Sequence, residues 1–271
     1  MWAPQMAYAE CAVGAETSEF IERLQQSSDR YAVSGTFLRE SAGARHFVSV
    51  SQSSGAPESV AQYFNSDANN AEQIFRMPEG KHLEPCEMAE HYAVSLGLGP
   101  KVAGKSTRVL QLRPKDTLRL GYRLALDEES GVILRSETIS ENGELLERHE
   151  FAAVTIAQLG SAEVAKASPI EAPRYVQVPG LPSGYRASLA RGFEERALFV
   201  SDGIAAATVI FEPLAANVKA GEGAVRRGAT LTYTRGSVVA GNNILVTVIG
   251  EVPLAAARVI ADAVKLTAGQ R

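Results

Sequence analysis

The amino-acid sequence predicts an α+β protein, mostly antiparallel β, divided into a large and a small domain. Three observations carry this reading. Residues 108–157 hold four strand-like runs separated by short turn-forming gaps; a parallel crossover needs about a dozen residues or more, so these runs form a meander. Between Gly160 and Gly184 the composition shifts to Ala, Ser, Glu and Pro, with Pro169, Pro173, Pro179 and Pro182 close together, as in an extended linker. Beyond it, more strand signals run into a closing helical pattern. The expected divisions are a flexible N-terminus at 1–15, a large β domain at 16–160, a linker at 161–180 and a small α+β domain at 181–271.

Along the chain, Ala7, Tyr8 and Ala9 have the small-x-small form of a signal-peptidase site, with no apolar stretch of the usual length before them. Two readings stay open: the remnant of an export signal, or a disordered cytosolic tail. Cys11 follows the charged Glu10, so it is not read as a lipoprotein cysteine. In an exported protein Cys11 and Cys86, the two cysteines of the chain, favour one disulfide; in the cytosol both stay reduced.

Residues 16–28 place Phe20, Ile21 and Leu24 at helical spacing, with Thr17 or Ser18 as the cap. YAVSGTFLRE, an AGA turn and RHFVSVSQ then read as a hairpin. Residues 53–99 have weak periodicity and read as strands with loops. The four runs RVLQLRP, LRLGYRLALD, GVILRSETI and ELLERHEFAAVTIA follow. After the linker come YRASLARG, RALFVSDG, AAATVIFEP, GATLTYTRG and NNILVTVIG. Residues 253–266 close the chain as a helix with Pro253 in its first turn and Leu254, Ala257, Ile260, Ala261 and Val264 on one face.

Composition narrows the function classes. At 271 residues, 45% hydrophobic and 21% charged, the chain can bury a core in each domain. With 27 basic against 31 acidic residues it carries a net charge of −4, which argues against a general nucleic-acid surface. No run approaches the ~18 apolar residues of a membrane span.

Catalytic and cofactor patterns are weak. His82, Cys86 and His91 lie close together but lack the spacing of a zinc site. Ser201, Asp202 and Gly203 stand outside any GxSxG elbow, and no histidine follows His149, so an Asx turn is the better reading. GEGAVRRG lacks the Lys-Ser/Thr pair of a phosphate loop, and Glu128 with Glu129 reads as a solvated turn tip. No catalytic residue, metal or cofactor is assigned, and a non-enzymatic protein is expected.

The run DTLRLGYRLALD poses the sharper question. Leu118, Leu120, Tyr122, Leu124 and Leu126 alternate with Arg119, Gly121, Arg123 and Ala125. Large apolar groups worth about 1.5–3 kcal/mol each on burial will be covered. Either the 16–28 helix and the loops of the first domain fill that face as an ordinary core, or one short helix is too small and leaves a trough for a lipid chain. Likewise Arg119, Arg123 and Arg135 form either the solvated face of a half-buried sheet or a basic stripe for an acidic partner or lipid phosphates.

The run VAGKSTRVLQLRPKDTLRLGYRLALDEESGVILRSETISENGELLERHEF (102–151) resembles the large domain of the MucB/RseB family, periplasmic regulators of an extracytoplasmic-stress sigma factor. SGTF (34–37), LPSGY (181–185), FVSDGIAAATVIFEP (199–213), RRGATLTYTRG (226–236) and VTVIGEVPLAAARVIADAV (246–264) resemble further family segments, in the right order. The resemblance implies a large unclosed β-barrel like those of lipoprotein carriers, then a small α+β domain. It implies a periplasmic protein that binds the periplasmic region of an anti-sigma factor and protects it from regulated proteolysis, with lipid or lipopolysaccharide as a releasing signal. A lipid or lipoprotein carrier of the envelope is the alternative, and self-association fits either. On this reading Phe37, Leu118, Leu120, Tyr122, Leu124 and Leu126 face lipid, while Arg119, Arg123, Arg135, Tyr233 and Arg235 face the partner. Residues 51–99 depart from the family pattern.

Overall fold

The computed structural model describes residues 13–52, 59–63, 73–75, 85–160, 175–176, 178–190, 196–214, 221–239 and 242–263. Two antiparallel sheets contain all the strands among them. The first comprises β1 (Tyr31–Ser41), β2 (Ala44–Gln52), β3 (Ser59–Tyr63), β4 (Gln73–Phe75), β5 (Tyr92–Leu98), β6 (Thr107–Pro114), β7 (Gly121–Asp127), β8 (Ile133–Ile139) and β9 (Leu145–Gln158). Their order, β4-β3-β2-β1-β9-β8-β7-β6-β5, leaves β4 and β5 as opposite edges. The sheet is therefore unclosed, as expected from the family resemblance.

The second sheet comprises β10 (Tyr175–Val176), β11 (Arg186–Leu189), β12 (Ala197–Ser201), β13 (Ala206–Pro213), β14 (Glu222–Arg227), β15 (Thr230–Val239) and β16 (Asn242–Gly250). Its order is β10-β11-β12-β13-β16-β15-β14. Helix α3 (Leu254–Ala263) covers one face, burying Ala256, Ala257, Ile260 and Ala261 against Val209, Tyr233, Val246 and Val248. The Pro253 carbonyl accepts from the Ala257 N–H at 3.0 Å, which makes Pro253 the residue just before the helix rather than part of its first turn. Strands β10 and β14 carry little apolar alternation, and the sequence pattern did not mark them.

Helix α1 (Ala15–Arg30) begins earlier than its hydroxyl residues suggest. Gly14 is the N-cap, without a side-chain cap bond, and its carbonyl accepts from Ser18. Ala15 and Glu16 are good helix formers, and Glu16 suits the positive end of the helix dipole. Phe20, Ile21 and Leu24 are buried against Leu110, Leu112, Tyr122, Leu124 and Leu126. The helix is also strapped to the sheet: Arg108 pairs with Glu16 at 2.6 Å, and Arg23 Nη1 donates to the Glu128 carbonyl at 2.8 Å. Arg23 and Arg108 both lie over the Phe20 ring.

The helix does not cover this face alone. Together with α2 (Pro85–His91), which adds Met88 and Ala89, it covers the β5–β7 end of the sheet. The other end, around Phe37, Val48, Leu134 and Phe151, forms a second cluster closed by Val102 and Val132.

Candidate functional site

Residues 116–126 are not one strand. The Asp116 carboxylate accepts from the Leu118 N–H, Lys115 is tied to the carbonyls of Ala89 and His91, and β7 starts only at Gly121. The bend carries Leu118 and Arg119 away from the first sheet and into the junction with the second.

There Arg119 is wholly buried. Its Nε donates to Asp202 Oδ2 at 2.7 Å, and its terminal nitrogens reach Asp116 and the Ser183 carbonyl. The Tyr185 and Tyr92 rings flank the guanidinium at 5.0 and 6.0 Å, within cation–π range of about 6 Å. Tyr92 donates to the same Asp202 oxygen at 3.1 Å, and Tyr185 donates to the Leu118 carbonyl at 3.0 Å. Burial alone would depress the Arg119 pKa; Asp202 and Asp116 outweigh it and hold the charge. Burial pushes the Tyr92 phenol well above its usual range, so it stays a donor.

Asp202 is held from the other side by its own turn: Oδ1 accepts from the N–H groups of Ile204 and Ala205. This is the expected Asx turn, now with a second role. Ser201 Oγ donates to the Ala205 carbonyl and closes the same turn. Apolar residues cross the junction in both directions: Leu118 packs on the core of the second sheet, and Ile204 on that of the first.

A second contact lies at Glu147 on β9. Its carboxylate accepts from Arg39 Nε at 2.8 Å and from the Ala229 N–H of the second sheet at 3.1 Å, with His149 Nε2 at 3.0 Å. Burial would raise its pKa; His149, Arg39 and the Ala229 N–H prevail and bring it to about 2. Two glycines make these approaches feasible. A β-carbon on Gly184 would stand 2.2 Å from His91 Nε2 and 3.0 Å from Arg119, and one on Gly228 would stand 2.0 Å from Ser41 Oγ. Both have positive φ, +82° and +58°, which glycine adopts without strain.

Ser136, His149 and Glu147 lie in a row, Ser136 Oγ 3.5 Å from His149 Nδ1. Ser136 and His149 also line a cavity of about 10 Å³ with Phe37, Leu134 and Phe151 among others, room for about one water. Glu147 holds this row in place through Arg39 and Ala229.

The remaining sequence-assigned residues separate. Leu120, Tyr122, Leu124 and Leu126 are buried under α1, and Phe37 is buried in the other cluster, so their surroundings are the protein's own side chains. Arg119 and Tyr233 are fully buried, which corrects their assignment to a partner-facing surface. Arg119 serves the junction, and Tyr233 sits in the core with its hydroxyl on Glu222 at 3.0 Å. Arg123, Arg135 and Arg235 do reach the surface, ion-paired with Glu137, Glu150 and Asp262. Arg123 belongs to a cross-strand ladder, Arg45–Glu40–Arg148–Glu137–Arg123, in which oppositely charged neighbours sit directly opposite one another. Cys86 is disulfide-bonded; the chain has one other cysteine, Cys11, outside the described residues, as is His82.

A family model described as the MucB/RseB N-terminal domain matches residues 45–174. Another, the MucB/RseB C-terminal domain, matches 181–265. The first runs through the 51–99 stretch that looked divergent. The sigma factor AlgU regulatory protein MucB of Pseudomonas aeruginosa is 29% identical over 210 residues, covering 68% of this chain and 64% of that protein. The chain thus spans less than two thirds of that relative's length. The sigma-E factor regulatory protein RseB of Haemophilus influenzae is 30% identical over 105 residues, 36% of this chain and 32% of that protein. Among solved structures, MucB in complex with MucA(peri) superposes with a TM-score of 0.65 at 25% identity, covering 90% of this chain and 97% of that one. The MucA/MucB complex of Pseudomonas aeruginosa has the same fold, with a TM-score of 0.67 at 24% identity over 91% of this chain and 97% of that one. With both family models matched in order over most of its length, the chain belongs to the MucB/RseB family.

Proposed function

We propose that this chain is a non-enzymatic regulator of the periplasm that binds the periplasmic region of an anti-sigma factor and shields it from the protease that begins its degradation. The observation that carries this is the ordered match of both family models, joined to a fold shared with a MucB whose structure was solved in complex with MucA(peri). Residues 16–160 and 181–271 act as two modules held by the Arg119–Asp202 and Glu147–Ala229 contacts. Of the assigned arginines, Arg123, Arg135 and Arg235 are the ones placed to meet an acidic segment, by exchanging the carboxylates they now pair with.

Lipid or lipopolysaccharide release is the second part of the proposal, and it requires a rearrangement. An acyl chain reaches Leu120, Tyr122, Leu124 and Leu126 only when α1 lifts from the sheet, because the helix packs on them. A dedicated carrier has less support, since this face is already filled.

The test is protection. The full chain is mixed with the matching anti-sigma periplasmic segment and the protease that makes the first cut. Slowed cleavage, with a complex on a sizing column, is expected. Unchanged cleavage without a complex overturns the proposal.

A further inference from the structure

The two junction contacts are not equally secure. Around Arg119 every charged group has a partner. Just past β16, a second carboxyl group, Glu251, lies beside the Ala229 turn that sits on Glu147, because Gly250 pairs with Leu231 and Arg226 holds Ala229 and Val252 together; the two carboxylates are close enough to repel. Glu147 has collected the donors: Arg39 and Ser41 from β1, His149 from its own strand and the Ala229 N–H. Among the described residues, Glu251 is favoured as a carboxylate by the charge of Arg39 and by the Thr138 hydroxyl of β8. On its own sheet, Arg226 is spent on the carbonyls of Ala229 and Val252 at 2.9 Å each. That clamp welds the Gly228-Ala229 turn and the Glu251-Val252 joint into one corner. From β7, the Tyr122 hydroxyl is buried with no hydrogen-bond partner among the described residues, and burial, then the charge of Glu251, push its pKa well up.

We propose that this corner is a proton-operated latch between the two sheets. With Glu251 neutral the corner docks on Glu147; when Glu251 ionises, two carboxylates face each other, and the corner releases while Arg119–Asp202 still tethers the sheets. The idea stands apart from any partner of the chain.

Burial first, then the Glu147 charge, raise the Glu251 pKa from 4.5 to about 7, against the smaller opposing effects of Arg39 and Thr138. A carboxyl raised on docking contributes stability that is complete below its undocked pKa and lost as the pH climbs through the docked value. If undocking restores the ordinary value, docking weakens by up to about 70-fold between pH 5 and pH 8. Glu147 stays ionised throughout, because it is held near 2.

The Ala229 amide reports on the latch directly, since its N–H donates across the junction. Hydrogen exchange of the full chain at pH 5 and pH 8, corrected for the intrinsic pH dependence, should show Ala229 protection falling by tens of fold. Val248, inside the second sheet, should hold steady and shows that the fold is intact. Glu251→Gln keeps the shape, removes the proton equilibrium and should flatten the profile. A fall that persists in that variant assigns the effect to another group and overturns the proposal. A flat profile in the unaltered protein overturns it too.

Discussion

Replacing Arg119 by Met tests the junction most directly. The substitution retains an apolar stem of similar length but strands Asp202, whose side chain is 1% exposed. Removing one member of a buried pair costs about 3–5 kcal/mol, because the remaining charge has lost its solvent and its partner. The stacking on Tyr185 and Tyr92 goes as well, worth about 0.5–2 kcal/mol. Part of the loss is recovered, since Tyr92 and two backbone N–H groups still donate to Asp202. The net expectation is about 4 kcal/mol, which for a domain-sized unit lowers the melting temperature by roughly 8–16 °C. Calorimetry should also show one transition broadening into two as the sheets uncouple. The double variant Arg119→Met with Asp202→Asn removes the stranded charge and should recover about 2 kcal/mol relative to Arg119→Met alone. A single variant that loses under about 1 kcal/mol, or a double variant that loses the sum of the two singles, refutes the reasoning.

Three further outcomes follow from the same contacts. Gly228→Val places a branched side chain where a β-carbon would already stand 2.5 Å from Glu147 Oε2, at a φ of +58°; exchange at Ala229 should rise sharply while α3 stays protected. Acid acts on Glu147: its stabilisation is complete above the ordinary carboxylate pKa of 4.5 and is lost as the pH falls towards about 2, so Glu147→Gln should flatten an acid titration of stability below pH 4.5 and lower stability at neutral pH. Phe20→Ala removes a buried ring beneath Arg23 and Arg108 and should cost about 3–5 kcal/mol; if α1 gates the apolar face, binding of a fluorescent fatty acid should increase, and unchanged binding argues against that gate.

Much of this protein was legible as local pattern. Alternation marked β6 to β9 and helical spacing marked α1 and α3, because each signal depends on a period shared by neighbouring residues; the clustered prolines did not reveal that β10 lies among them and joins the second sheet. The same alternation misled at Leu118 and Arg119. Nothing within the run distinguishes them from Leu124 and Arg123, and their fate was decided by Asp202, 83 residues away along the chain. The turn at Asp202 was readable as an Asx turn, yet its second carboxylate oxygen acquires a purpose only when Arg119 arrives.

Local pattern settles the inventory: the runs that form strands, the faces able to bury apolar area, and family membership through the ordered segments. Tertiary structure alone decided how the charges are spent. Arg119 became a buried tie and Arg123 a surface ladder rung, and Glu147 took Arg39, Ser41, His149 and the Ala229 N–H. The physical reason is that an apolar side chain is satisfied by any greasy neighbour, so periodicity suffices to place it, whereas a buried charge needs particular partners at hydrogen-bonding distance. Those partners come from whichever distant segments the fold brings together.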